Sequence, residues 1–166
     1  MPNSARMLKK DLQPIKRLVF ISLLTVAIFP AYAVALEYRS VATPKAVLYD
    51  APSSQGRKLY VVGQGYPVEV IVNLGDWLKV RDAQGSLTWV EAKDLANKRT
   101  LLVTAQQAEV RQTPDSAAKL IYRLQKDVVL EMLEPANSDS AGKNWIKVRH
   151  RDGLTGYVLA TSVWGY

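Results

Sequence analysis

Two five-residue stretches carry side chains suited to recognition, Trp77-Leu78-Lys79-Val80-Arg81 and Trp145-Ile146-Lys147-Val148-Arg149. Side chains alternate faces along a strand. With Leu78, Val80, Ile146 and Val148 turned inward, Trp77, Lys79 and Arg81 share one outer face, and Trp145, Lys147 and Arg149 share another. An indole beside two cations is an aromatic platform with a basic rim, a chemistry that takes sugar rings, peptides or carboxylate-bearing chains. Trp89 and Tyr157 precede the inward valines Val90 and Val158 and extend the same faces. These eight residues are the ligand-binding candidates. The competing role for each aromatic is half-burial against a loop or a neighbouring body, with a lysine stem lying over it.

Catalytic chemistry is poorly supplied. The chain has no cysteine and one histidine, His150, which excludes disulfides, thiolate nucleophiles and cysteine metal sites. His150-Arg151-Asp152 spells the opening of a kinase catalytic loop, but Tyr157 stands where that loop has its metal-binding asparagine. A solvated hairpin tip is the expected setting. No G-x-S-x-G elbow accompanies a Ser-His-Asp arrangement. Glu131 and Glu134 fall where strict alternation puts one outside and one inside. No metal-ligand spacing occurs, and no cofactor is implied. The chain is read as a non-enzyme.

The elements that position these residues are written twice. W-x-K-V-R-x-x-x-G-x-x-x-aromatic-V begins at Trp77 and again at Trp145, an offset of 68. Upstream, Pro52 matches Pro114, Leu59-Tyr60 matches Ile121-Tyr122, and Glu69 matches Glu131, all at 62. The six extra residues of the second copy belong in the loop PANSDSAGK, Pro135 to Lys143. Each copy reads as short, β-branched strands punctuated by Gly and Asn-Asp turns: LYVV, PVEVIV, WLKVR and LTWV, then LIYRL, VVLEML, WIKVR and TGYV. Neither copy holds a sustained helical period, so the expected fold is all-β, two tandem small barrels. Glu91 to Leu95 closes the first copy as a short turn.

The run from Pro52 through Trp77-x-Lys79-Val80 to Gly85, Trp89-Val90 and Leu95 resembles the bacterial SH3-like (SH3b) domain. The second copy is similar in two further places, the opening AEVRQTPDS and Gly156-Tyr157-Val158. The first copy departs from the family pattern at Tyr49, where arginine is usual, and at Thr88, where glycine is usual. The resemblance covers nearly all of Val41 to Trp164 and implies a barrel. SH3b domains commonly occur in envelope proteins and cell-wall hydrolases as targeting modules that bind wall peptides.

Only Ala96 to Arg99 separates the copies, with no Gly, Ser or Pro tract to act as a spacer. A barrel of about 60 residues is marginal alone, so the two are expected to pack closely. Repeat 1 is assigned residues 34–97 and repeat 2 residues 98–166. Residues 1–33 read as a cleaved signal peptide: a basic start, the apolar run LVFISLLTVAIF and Ala31-Tyr32-Ala33. Twelve apolar residues reach roughly 18 Å, too short for a bilayer core of about 30 Å. Cleavage follows Ala33 or Ala35 and leaves no stable membrane anchor.

Removing the leader's five basic residues and one acid takes the net charge from +7 to +3. A weakly positive, mixed surface has no footprint for nucleic acid. The expected location is the periplasm, or outside the cell, of a bacterium, and the expected state is a monomer. The favoured function is a binding module that contacts peptidoglycan, by its stem peptide or glycan. The alternative is an adaptor that holds an extended segment of an envelope protein, and a domain-only accessory hydrolase ranks below both.

Overall fold

The computed structural model describes residues 36–139 and 141–166. The leader expected over 1–33 lies outside the described residues. Residues 34–166 form one compact unit.

Each repeat is a seven-stranded antiparallel sheet. Repeat 1 runs β1 (Glu37–Val41), β2 (Lys45–Tyr49), β3 (Lys58–Gly63), β4 (Pro67–Asn73), β5 (Trp77–Arg81), β6 (Leu87–Glu91), a 3₁₀ turn (Ala92–Asp94) and β7 (Leu95–Ala96). Repeat 2 repeats it: β8 (Thr100–Val103), β9 (Gln107–Arg111), β10 (Leu120–Gln125), β11 (Val129–Ser138), β12 (Asn144–Arg149), β13 (Thr155–Leu159), a 3₁₀ turn (Ala160–Ser162) and β14 (Val163–Trp164). The strand orders are equivalent, β3-β2-β6-β5-β4-β1-β7 and β10-β9-β13-β12-β11-β8-β14. The two SH3-like barrels expected from the duplicated pattern are present.

Alternation drives this arrangement. In repeat 1, Val41, Ala46, Leu48, Val68, Leu78, Val80 and Val90 come from five strands and form one buried cluster. Strands that are not neighbours in the sheet share that cluster, so the sheet wraps around its own core. Leu101, Val103, Ala108, Val110, Leu130, Ile146, Val148 and Val158 do the same in repeat 2. Burying a valine or leucine side chain contributes about 1.5–3 kcal/mol, which makes these inward positions the main source of stability. The hairpin turns place Gly75, Gly85 and Gly153 at positive φ, where a side chain is strained.

The insertion in repeat 2 is only partly a loop. Pro135 to Ser138 continue β11, and the turn itself begins at Asp139. The register shift between Met132 and Glu134 has its counterpart between Val70 and Val72 of repeat 1, whereas the shift between Glu134 and Asn137 is particular to repeat 2 and takes up extra residues. Such bulges also reverse the alternation. Glu131 and Glu134 therefore both lie beside outward cations, opposite Arg149 and Lys147, and the expectation of one in and one out does not hold.

The two repeats meet along a polar and aromatic seam. Thr100 Oγ1 of repeat 2 donates to the Gly65 carbonyl of repeat 1 at 2.7 Å. Tyr38 of β1 meets Trp164 of β14 edge to face, with ring centroids 5.3 Å apart. The Arg99 guanidinium lies 5.2 Å from the Tyr38 ring and donates to the Gly165 carbonyl at 3.2 Å. Gly165 is buried, and a Cβ there would sit 2.7 Å from the Thr100 carbonyl oxygen, so the close approach requires glycine. The terminal Trp164-Gly165 pair is thus docked and holds the repeats together.

Candidate functional site

Strands β5 and β12 place the expected side chains on the outer faces, but the basic rims are not free. In register across β4 and β5, Glu69 faces Arg81. Arg81 grips it with two bonds, Nε to Oε2 at 2.8 Å and Nη2 to Oε1 at 2.7 Å. Lys147 Nζ donates to Glu134 Oε1 at 2.6 Å, which raises the Lys147 pKa above the usual lysine value. Arg149 stands 3.7 Å from Glu131. Lys79 lies 5.8 Å from the Trp89 ring centroid, and Trp89 is its cross-strand neighbour. Lys147 likewise faces Tyr157 across β12 and β13. The cations are legible along β5 and β12, whereas the carboxylates that meet them lie on β4 and β11 and come opposite only through cross-strand register.

The two tryptophans differ most. Trp145 is 2% exposed and belongs to no open platform, which corrects the expectation of an outward indole. Its Nε1–H donates to Asp139 Oδ2 at 2.9 Å. Asp139 Oδ1 accepts from the backbone N–H groups of Ala141 at 2.9 Å and Lys143 at 2.8 Å. The indole bond and these amides hold the Asp139 carboxyl below the ordinary carboxylate range. The inserted turn therefore caps Trp145 from above, and only the longer hairpin of repeat 2 has residues to do so.

Trp77 has no such cap. Its indole packs edge to face on Tyr49, centroids 5.4 Å apart, and its N–H has no partner among the described residues. Beside it lies a groove of about 430 Å³ between the turn at Pro52–Ser54, Asp76 and Glu91. Lys93 lines the same groove in an ion pair with Glu91, and that bond raises the Lys93 pKa. The equivalent groove of repeat 2, about 350 Å³, is lined by Ser116, Arg111, Glu109, Leu159 and the capped Trp145. There Arg111 is spent internally, paired with Glu109 and donating to the Ala118 carbonyl at 2.7 Å.

Tyr49 and Thr88, the two departures in repeat 1, now have a physical setting. Tyr49 supplies the ring against which Trp77 rests, a role arginine at the matching position 111 does not take. A Cβ at Gly156 would lie 2.6 Å from Val110 Cγ1 and 2.8 Å from the Arg111 carbonyl oxygen, so repeat 2 requires glycine there. Thr88 fills the corresponding place in repeat 1, with its hydroxyl buried and unpartnered.

The groove residues Pro52, Ser53, Ser54, Asp76 and Glu91 were not singled out from sequence. One signal was available, the matched prolines 52 and 114 that begin the flanking turn in each copy. The hairpin expected at His150 is present, closed by His150 N–H to the Leu154 carbonyl at 2.9 Å. Its histidine is less solvated than a tip implies. The side chain is 16% exposed, tilted against Tyr122 at 6.0 Å, with Nδ1 3.0 Å from Asp152 Oδ2. Among the described residues no group of three His, Asp or Glu side chains is placed to hold a metal.

A sequence model of the bacterial SH3 domain matches residues 42–96 and 104–165. No curated protein sequence matches the chain significantly. Among solved structures, NlpC2 from Trichomonas vaginalis is similar at 17% identity and a TM-score of 0.35, over 80% of this chain and 49% of that one. NlpC1 from the same organism matches at 14% identity and a TM-score of 0.35, over 80% and 46%. A NlpC/P60 family protein from Bacillus cereus ATCC 10987 matches at 17% identity and 0.34, over 78% and 56%. The chain spans about half the length of these structures.

Proposed function

The chain belongs to the bacterial SH3 domain family, and on that premise we propose that it is an exported, non-enzymatic module that binds peptidoglycan through the Trp77 groove. One observation carries the reading: of two equivalent tryptophans, one is capped by its own chain and the other is left with an open groove. The Trp77 indole offers an apolar face for a sugar ring or a side chain. Its free N–H is a donor for a hydroxyl or a peptide carbonyl. Asp76 and Glu91 accept from hydroxyl or amino groups on the ligand. A wall glycopeptide carries all of these, and repeat 2 serves as the rigid neighbour. The family supports a setting in the bacterial envelope, and the leader expected over 1–33 gives the route there.

Sedimentation with purified sacculi tests this reading. The wild-type protein is expected to pellet with the wall, and Trp77→Ala to lose about tenfold in affinity, the ordinary cost of removing an aromatic anchor. Trp145→Ala, checked for folding, should pellet nearly as wild type. Equal loss in both variants, or no wild-type pelleting, would overturn the groove assignment.

A second reading, an adaptor for an extended segment of an envelope protein, is favoured by β3. It ends its sheet, and Tyr60 and Val61 on it are exposed. An edge of that kind can accept an added strand. Recovery of a saturable protein partner from wall-free extract, with no sacculus binding, would decide for it.

A further inference from the structure

Exposed aliphatic side chains gather at one end of repeat 1. Leu36 is 58% exposed and Leu74 59%, and Ile71 and Val72 are exposed with them. The register of β1 on β4 pairs Glu37 with Val70, so Leu36 falls beside Ile71. Leu74 stands in the turn where β4 passes into β5. We propose that this patch seats repeat 1 reversibly on a phospholipid bilayer, its aliphatic side chains inserted among the headgroups.

Repeat 2 does not share the patch. At an offset of 62, Leu36 is matched by Lys98, which pairs with Glu131 at 3.2 Å. Val72 is matched by Glu134, which accepts from Lys147 at 2.6 Å. The register agrees, since Val72 faces Lys79 as Glu134 faces Lys147. Lys79 is left without that carboxylate and stands over the Trp89 ring instead. Repeat 1 thus sets aliphatic side chains where an equivalent barrel folds with ion-pairing ones, so folding does not require them there. Charge adds little to the attraction. Lys79 is offset by Asp76 of the same hairpin, and Glu37 beside Leu36 is paired with Arg39.

Size and position select the occupant. Four aliphatic side chains are few against the roughly 20 residues a side of a stable protein interface, which argues against a second copy. They suit shallow insertion, where each buried methylene contributes and lysine and tryptophan lie at headgroup level. The patch also lies where the chain arrives from the apolar run 18–29. Leu36 follows Phe29 by seven residues, a span of at most about 25 Å. A chain exported by that run brings this end of repeat 1 to the membrane first. None of the four residues lines the Trp77 groove, so bilayer contact and wall binding are separable.

Residues 34–166, the compact unit, are mixed with vesicles of phosphatidylethanolamine and phosphatidylglycerol and floated on a density gradient. The wild-type chain should rise with the vesicles at low and at high salt. Leu36→Gln/Leu74→Gln, changed at two solvated positions where the fold is not at risk, should partition at least about tenfold less. Leu87→Gln removes another solvated leucine, 53% exposed and opposite Arg81 at the far end of β5, and should float as wild type. Failure of the wild type to float, loss of flotation at high salt, equal flotation of the double variant, or an equal loss in Leu87→Gln would overturn the proposal. So would a wild-type dimer that the double variant abolishes, which assigns the patch to a second copy.

Discussion

The Trp145 indole N–H donates to Asp139 at 2.9 Å, and this bond separates two repeats that otherwise place a tryptophan at the same point of the same strand. The six-residue difference in hairpin length decides which tryptophan meets solvent. Duplication has thus produced one repeat whose tryptophan stands uncapped beside its groove and one whose tryptophan is covered by its own insertion.

Asp139→Ala removes the cap. The Trp145 indole N–H should lose its protection from solvent exchange and shift in the ¹H–¹⁵N spectrum, while the Trp77 indole resonance stays in place. The melting temperature should fall, because Ala141 and Lys143 also lose their acceptor. An unchanged Trp145 indole signal would show that the inserted turn does not hold it.

Acid should weaken the fold through two carboxylates. Hydrogen bonds from Trp145 and from Arg111 and Arg123 hold Asp139 and Glu109, respectively, below their ordinary values. A carboxyl whose folded pKa is lowered contributes stability above its unfolded value, about 3.9 for Asp and 4.3 for Glu, and loses that contribution as the pH falls through the folded one. Thermal melts from pH 7 down to pH 2 should show a fall beginning near pH 4, shallower in the Asp139→Ala variant. Identical slopes in both proteins would exclude Asp139 as a contributor.

Gly156 and Thr88 occupy matching positions with opposite tolerances. Gly156→Thr forces a Cβ into Val110 and the Arg111 carbonyl and should cost about 1–3 kcal/mol or more. Thr88→Val removes a buried hydroxyl that has no partner and should be neutral or stabilise by about 1 kcal/mol. Urea denaturation reads both, and a destabilised Thr88→Val would mean that the hydroxyl is bonded in solution.

The seam should make the two repeats unfold together. Calorimetry is expected to show a single transition with equal calorimetric and van't Hoff enthalpies. Thr100→Val, which deletes the 2.7 Å bond to the Gly65 carbonyl, should cost about 1 kcal/mol. Two resolved transitions in the wild type would show that the barrels melt independently.

Strand positions, the duplication and the inward set Leu78, Val80, Ile146 and Val148 were all legible in the chain alone. Each depends on local alternation and on repeated spacing, which the order of residues carries directly. The family resemblance followed from the same pattern. Which outward side chains are available was not legible. Arg81 and Lys147 read as free cations until β4 and β11 laid Glu69 and Glu134 beside them, and the bulge between Met132 and Glu134 brought Glu134 to that side. Trp145 read as a platform until Asp139, six residues earlier, folded back onto it. Cross-strand register and docking join residues distant in sequence, and no local period encodes them. The sequence by itself thus determined two barrels and their inward faces, while the tertiary structure decided which aromatic and which cations were left to meet a ligand.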